Sequence, residues 1–213
     1  MKFLHLGDLH LGKALSDFDL IEDQRYILDQ ILCIADKESI DGVLIAGDVY
    51  DKSIPSEAAT KLLDYFLIEL AKKEIKVFMV SGNHDSDERL NYGSTLFASN
   101  QIFISAVFDG TLHKQSFADG DTEIDIYMLP FVKASQVRHY FPNEDIESYD
   151  AAVRTIIRNT PINKIRIFLW HINLLQGREK NPYLQVLKAL ERRVWVWLKK
   201  LDMTALMILT MRH

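Results

Sequence analysis

The chain has 213 residues, 48% of them hydrophobic, and carries a formal net charge of −5 at pH 7. This size and composition can bury the core of one large domain, or of one domain and a fragment. They exclude a polycationic protein, so any contact with nucleic acid requires a local basic patch or metal ions that offset the carboxylates.

The sequence contains neither an apolar run near the roughly 18 residues of a membrane span nor a signal-peptide pattern. The one cysteine, Cys33, excludes a disulfide framework within the chain. We therefore expect a cytoplasmic protein without membrane contact, in which Cys33 is a small core residue.

Strand and helix patterns alternate over the first 80 residues. Residues 3–6, 42–46 and 76–80 are short apolar runs typical of buried strands, and residues 20–37 and 55–73 have apolar positions at helical spacing. This βαβαβ order predicts a parallel sheet with helices on its faces.

Strand patterns dominate after residue 100. Residues 102–104, 111–117 and 123–129 read as strands, and Asp-Gly turns lie before the second and third of them. A helix is predicted over residues 149–158 and a last strand over residues 164–169.

Each of the first three strands ends in a polar motif: Gly7-Asp8-Leu9-His10, Gly47-Asp48 and Gly82-Asn83-His84-Asp85. Ligands of open α/β sheets bind beyond the carboxyl ends of the strands, where all three motifs lie. Asp8 and His10 are two residues apart and can chelate one ion, Asp48 can bridge two ions, and Asn83 offers an amide oxygen. Such a set of oxygen and nitrogen donors suits Mn²⁺.

Two ions about 3.5–4 Å apart can activate a water and stabilise both oxygens of a phosphodiester displacement. His84 can then give a proton to the leaving alkoxide. A lone Gly-Asp is usually only a turn, but the three motifs in this order favour a metal site. Asp51 and Asp85 are expected to orient the ligands through hydrogen bonds. The other histidines have structural interpretations: a packed residue for His5, and surface positions for His113 and His139.

Two longer blocks carry a family resemblance: residues 5–13, and Gly82-Asn83-His84-Asp85-Ser86 followed by Arg89-Leu90, Gly93-Ser94 and Leu96-Phe97. They resemble the D subunits of SbcCD-type nucleases, bacterial relatives of the double-strand-break repair nucleases within the calcineurin-like metallophosphoesterases. The resemblance implies an α/β fold, a metallophosphoesterase β-sandwich flanked by helices, with an incomplete C-terminal part. It also implies Asp8, His10, Asp48 and Asn83 as ligands of two Mn²⁺ ions, with Mg²⁺ as the alternative, and His84 as the catalytic residue.

The same resemblance implies an activity and partners. The family acts on double-stranded DNA ends and hairpins, as exonuclease and endonuclease, in DNA recombination, replication and repair. Its members work with an SMC-like ATPase, which is the C subunit of the SbcCD complex, and form homodimers.

The resemblance covers residues 1–168, which we interpret as an incomplete nuclease domain. Residues 169–213 hold 3 acidic and 8 basic residues and all three tryptophans, whereas residues 1–168 hold 27 acidic and 17 basic residues. The Ala-His and Gly-His-x-His motifs that the resemblance implies next do not occur in the 213 residues, and we expect the capping and partner-binding domains to be absent as well. His171 is a candidate substitute ligand, but it lies one residue early, and one residue reverses the side-chain direction in an extended segment.

A change of reading frame accounts for this break. When each codon starts at the last base of the present one, Trp170 and His171 together encode Ala, and the following codons permit His-Gln. The terminal codons permit the Phe-Asp-Tyr sequence that precedes Gly-His-x-His in the family. We therefore interpret residues 169–213 as an aberrant tail, out of frame from about residue 170 after a one-base deletion near the Phe168 codon.

Two other functions remain open at this point. One is a metallophosphoesterase on small phosphodiesters such as cyclic nucleotides, or on phosphoprotein. The other is a catalytically inactive fragment that at most binds DNA or the partner ATPase.

Overall fold

The computed structural model describes residues 2–119, 122–162, 166–170, 194–201 and 204–211. Its strands are β1 (Lys2–Gly7), β2 (Ala14–Leu15), β3 (Phe18–Asp19), β4 (Gly42–Ala46), β5 (Lys76–Val80), β6 (Ile102–Ser105), β7 (His113–Asp119), β8 (Thr122–Leu129), β9 (Arg166–Trp170), β10 (Val194–Leu201) and β11 (Thr204–Met211). Its helices are α1 (Ile21–Lys37), α2 (Glu57–Lys72), α3 (Asp87–Asn91), α4 (Ser94–Ala98), α5 (Ala134–Tyr140) and α6 (Tyr149–Arg158).

The main sheet has six strands in the order β10-β11-β1-β4-β5-β6. Strands β1, β4, β5 and β6 run parallel to one another and are joined by crossover connections, whereas β11 runs antiparallel to both of its neighbours, β1 and β10. Leu6 pairs with Ile45, and Ala46 pairs with Val80. The carboxyl ends of β1, β4 and β5 therefore meet at one edge of the sheet.

A second sheet, in the order β7-β8-β9, packs face to face against the main sheet. The interface is a cluster of buried side chains in which Phe3, Leu44 and Phe78 of the main sheet meet Ile126 and Met128 of β8. Alternate residues of β8 face this interface, as the two-residue period of a strand requires. The β-sandwich implied by the sequence is thus confirmed.

Helices cover the outer face of each sheet. Helices α1 and α2 bury an apolar stripe against the main sheet, in the largest cluster of the core. Helices α5 and α6 do the same against the second sheet. Ser56 and Ser148 begin α2 and α6 as N-caps, since each side chain accepts a hydrogen bond from the third backbone N–H of its helix.

Three strands and three helices lie where the sequence predicts them: β1, β4, β5, α1, α2 and α6. Pro55 precedes the cap of α2 instead of lying inside the helix. The expectation of a buried Cys33 was wrong: its side chain is exposed, because α1 turns Leu32 and Ala35 inward and this position outward. No helix within the described ranges combines the length and apolar character needed to span a membrane.

The main sheet extends into the region that we interpret as an aberrant tail. Strand β11 pairs along the whole of β1, from Lys2 opposite Thr210 to Gly7 opposite Ala205, and β10 pairs with β11. The predicted strand at residues 164–169 is described as β9, parallel to β8. Strand pairing does not report the reading frame, so the frame change and the domain boundary at residue 168 stay predictions.

Candidate metal centre

Three of the predicted ligands converge at the carboxyl edge of the main sheet. Ligand atoms of Asp8, His10 and Asp48 all lie within 4.8 Å of one another. Nε2 of His10 is 3.7 Å from Oδ2 of Asp48. Asp48 is 4% exposed, whereas Asp8 is open to solvent. The cluster is therefore anchored in the protein on one side and accessible on the other.

The same three residues have an unusual backbone conformation. The φ angles are 55° at Asp8, 44° at His10 and 47° at Asp48, in the left-handed region. For non-glycine residues this region costs about 1–2 kcal/mol per residue, and such strain persists where the surroundings enforce it. The strained positions in the chain thus include the whole donor cluster.

Hydrogen bonds between the two loops hold these conformations. The N–H of His10 donates to the carbonyl of Asp48, and the N–H of Leu11 donates to that of Val49, each at 2.9 Å. Asp51 donates its own N–H back to the carbonyl of Leu11 at 3.1 Å. The loop after β1 and the loop after β4 therefore form one unit, and the donors they carry move together.

The loop after β5 is built around Asp48. Gly82 is required there, since a Cβ atom at this residue would lie 2.1 Å from Oδ1 and 2.2 Å from the backbone nitrogen of Asp48. Two residues later, the N–H of His84 donates to the same Oδ1 at 2.9 Å. The second oxygen of Asp48, Oδ2, is the one that faces His10.

The His84 ring lies beside the cluster. It is perpendicular to the His10 ring, with 4.9 Å between the ring centroids. Its Nδ1 is 3.1 Å from the carbonyl oxygen of Asp51. A carbonyl only accepts hydrogen bonds, so Nδ1 carries a proton in this contact, and Nε2 is left for other chemistry.

Asp85 joins two of the loops, and its role in orienting the ligands stays a prediction. Its carboxylate accepts hydrogen bonds from the N–H groups of Val49 (3.1 Å), Tyr50 (2.9 Å) and Gly82 (2.8 Å). Burial raises the pKa of this carboxyl, and the three donated hydrogen bonds oppose the rise. Because both oxygens of Asp85 bind backbone groups, the carboxylate fixes the spacing of the loops after β4 and β5.

The donor set fits a divalent metal ion. Nδ1 of His10 is buried and has no hydrogen-bond partner within the described part of the chain. Oδ1 of Asp51 lies 3.4 Å from this nitrogen, while Nε2 of the same ring faces Asp48. Buried polar atoms are normally paired, and an imidazole nitrogen beside carboxylates is a typical ligand set for a metal.

The remaining predicted residues have different outcomes. Asn83 is exposed between Gly82 and His84 at the same edge of the sheet, and its role as a ligand stays a prediction. His171 lies outside the described residues. His113 and His139 are exposed, as expected. His5 is packed within β1, and burial lowers its pKa from 6.5 to about 4.

One residue of the site was missed by the sequence analysis. Gln24 of α1 is 6% exposed and makes hydrogen bonds to the backbone at His10 and Gly12. A signal was present, because Gln24 continues the buried stripe of Leu28, Ile31 and Ala35 by one helical turn. A polar residue in an apolar stripe indicates a buried hydrogen-bond partner.

Comparison with known families agrees with this geometry. Residues 1–200 match the model of the calcineurin-like phosphoesterases. The chain belongs to this family of metal-dependent phosphoesterases.

Among individual proteins, the chain is similar to the D subunit of the nuclease SbcCD from Staphylococcus epidermidis. The two are 38% identical over 186 residues, which cover 84% of this chain and 48% of the relative. The chain thus spans about half the length of the relative that it matches.

Proposed function

We propose that this chain carries the nuclease domain of a Mn²⁺-dependent DNA nuclease. Its substrates would be double-stranded DNA ends and hairpins, cleaved during recombination, replication and repair. The observation that carries the proposal is the cluster of Asp8, His10 and Asp48 beside His84, in a chain similar to a bacterial nuclease.

The position of each residue in the cluster indicates which metal ion it would bind. Asp8 and His10 would hold one ion, Asp48 would lie between two ions, and Asn83 would complete the second. Bound Mn²⁺, or Mg²⁺ as the alternative, supplies Lewis acidity to the phosphate and lowers the pKa of water. Asp48 is suited to the central place because one oxygen is held by the N–H of His84 while the other faces His10.

His84 is the proposed proton donor. Its ring is exposed at the open side of the cluster, where a phosphodiester can approach. The carbonyl of Asp51 orients the ring through Nδ1, so that Nε2 can carry a proton to the leaving alkoxide.

The proposed partners follow from the similarity to the nuclease of the SbcCD complex. They are an SMC-like ATPase, the C subunit of such a complex, and a second copy of the chain, and the proposed location is the cytoplasm. The cluster supplies a reason for DNA binding despite the net charge of −5, because bound cations offset Asp8 and Asp48.

A second candidate is a chain with weak or no hydrolysis. The donor cluster of the described residues has three members, Asp8, His10 and Asp48, and the ligand role of Asn83 is itself a proposal. Three such donors suffice for one ion but leave a second ion with few ligands. We therefore propose that the second ion binds much more weakly than the first and that turnover is low.

The test combines metal binding with two kinds of substrate. The purified chain is titrated with Mn²⁺ by calorimetry, then incubated with end-labelled duplex DNA, a DNA hairpin and bis-p-nitrophenyl phosphate. DNA cleavage that requires Mn²⁺ and falls at least about 100-fold in His84→Gln supports the nuclease. His139→Gln is the matched control, since His139 is an exposed histidine on α5, outside the three loops that carry the donors.

The other outcomes distinguish the nuclease from the two alternative functions. Hydrolysis of bis-p-nitrophenyl phosphate without DNA cleavage would favour a phosphoesterase on small phosphodiesters. Binding of one Mn²⁺ without hydrolysis of either kind of substrate would favour an inactive chain. A chain that binds no Mn²⁺ would overturn the proposed metal centre itself.

A further inference from the structure

Gln24 connects helix α1 to the loop that carries the donor His10. Its Oε1 accepts a hydrogen bond from the N–H of Gly12 at 2.9 Å. Its Nε2 donates to the carbonyl of His10 at 2.8 Å and to that of Leu9 at 3.3 Å. The side chain is 6% exposed, so these bonds are shielded from water.

The contacts determine how the amide is oriented. The N–H of Gly12 can only donate, and the two carbonyls can only accept. Rotating the amide by 180° would place its NH₂ group against an N–H and its oxygen against two carbonyls. The orientation with Oε1 toward Gly12 is therefore the one that satisfies all three backbone groups.

Two of the three residues that Gln24 binds have a left-handed backbone conformation. His10 has a φ of 44° and Gly12 a φ of 84°. The N–H groups of His10 and Leu11 already point at the loop after β4. Gln24 binds carbonyls of the same loop from α1, so the loop is held between a helix and a neighbouring loop.

We propose that Gln24 is a positioning residue for the metal site: its amide clamps residues 9–12 so that His10 presents its imidazole to the cation. The inference rests on the proposed role of His10 as a ligand. Gln24 acts through the backbone and touches neither the metal nor the substrate.

The chemistry of the position favours this role over plain helix packing. The neighbouring buried positions of α1 are apolar, with Leu28 and Ile31 in the same stripe. A buried amide in such a stripe is costly unless it is fully bonded, and here every bond goes to the donor loop. A glutamate would lose both donated bonds and add negative charge beside the loop that carries His10.

The test measures Mn²⁺ affinity separately from stability. Electron paramagnetic resonance of free Mn²⁺ gives the Kd of the 213-residue chain, and urea unfolding in EDTA gives its stability without metal. Gln24→Met keeps the size of the side chain and removes all three hydrogen bonds. Gln136→Met is the matched control, because Gln136 also accepts a backbone N–H, that of Lys133, at the exposed start of a different helix, α5.

We expect Gln24→Met to raise the Kd for Mn²⁺ about tenfold or more, as loss of residues that orient ligands does elsewhere. Gln136→Met should leave the Kd unchanged. Gln24→Glu keeps an acceptor for Gly12, and positioning predicts weaker binding in spite of the added negative charge. If Gln24→Met does not fold, the Kd of Gln24→Glu alone tests whether Gln24 positions His10.

Two results would overturn the inference. One is a loss of stability in Gln24→Met with an unchanged Kd, which is what a purely structural residue would give. The other is Mn²⁺ binding by Gln24→Glu that equals or exceeds that of the unmodified chain. His10→Ala tests the ligand role of His10 separately from the positioning role of Gln24. If this variant binds Mn²⁺ like the unmodified chain, the proposed ligand role of His10 fails.

Discussion

The backbone N–H of His84 donates a 2.9 Å hydrogen bond to Oδ1 of Asp48, which joins the proposed proton donor to the central carboxylate of the cluster. The two residues belong to different strand ends, and Gly82 makes their approach possible. A change that separates the loops after β4 and β5 should therefore impair metal binding and catalysis together.

Gly82→Ala tests directly whether the close contact between the loops after β4 and β5 is required. The new methyl group would lie about 2 Å from Asp48, so the loop must shift. We expect a loss of about 1–3 kcal/mol in the free energy of unfolding, together with weaker Mn²⁺ binding. Urea unfolding and calorimetry measure the two effects.

Gly7→Ala is the matched control for that substitution. Gly7 ends β1 at the same edge of the sheet, and a Cβ atom there would meet no atom within 4 Å. We expect a change within about 0.5 kcal/mol. Equal effects of the two substitutions would show that contact with Asp48 is not what requires Gly82.

Asp85→Asn should loosen the loops without removing a proposed ligand. The carboxylate accepts three backbone N–H groups, and an amide places an NH₂ group where one of them points. We expect a loss of about 1–3 kcal/mol in the free energy of unfolding and a higher Kd for Mn²⁺. Unfolding in EDTA and Mn²⁺ titration are the measurements.

Asp109→Asn serves for comparison with Asp85→Asn. Asp109 is exposed and accepts the N–H of Thr111 in a turn before β7. Its replacement should leave the Kd for Mn²⁺ unchanged. An equally unchanged Kd in Asp85→Asn would contradict the proposed role of Asp85 in spacing the loops.

The lowered pKa of His5 should reduce the free energy of unfolding at acid pH. Burial lowers its pKa to about 4 in the folded chain, whereas the ordinary value is 6.5. Between these values the unfolded chain binds a proton that the folded chain does not, so stability falls as the pH drops from 6.5 to 4. The full contribution is present above pH 6.5, and about 3 kcal/mol of it is lost by pH 4.

The measurement is urea unfolding at several pH values for the unmodified chain and for His5→Gln. The variant should lose less stability than the unmodified chain between pH 6.5 and 4. His139→Gln, at an exposed position, should retain the unmodified pH dependence. Parallel curves for the unmodified chain and His5→Gln would contradict the prediction.

The reading-frame hypothesis predicts a gain of function. Sequencing of the gene from the Pro161 codon should reveal a shifted frame that continues through Ala-His-Gln and Gly-His-x-His. Restoring one base near the Phe168 codon should then supply the histidines that the second ion needs and increase Mn²⁺-dependent DNA cleavage. A shifted frame that closes soon after Phe168 would refute the hypothesis.

The strand ends and their polar residues could be predicted from the sequence because strand length and motif coincide. β4 and β5 are short apolar runs followed directly by Gly-Asp and, after one serine, by Gly-Asn-His-Asp, so both the element and its functional end are visible. The parallel order then requires these ends to meet at one edge.

Other parts of the fold could not be predicted because they depend on contacts distant in sequence. The partners of Gln24 are backbone groups of residues 9, 10 and 12, which composition and periodicity do not identify. The left-handed conformation of His10 depends on the loop after β4. The short helices α3 and α4 and the hairpin of β2 and β3 are too brief for a periodic pattern.

The joined loops have a consequence for how the chain is made. The donors, the loop contacts, Gln24 and Asp85 all lie between β1 and the start of α3, in one continuous stretch. A chain emerging from the ribosome therefore holds every one of these groups before the second sheet has been synthesised. The contacts that shape the proposed cation pocket therefore become available early in synthesis, whereas the domain folds as a unit once both of its sheets are present.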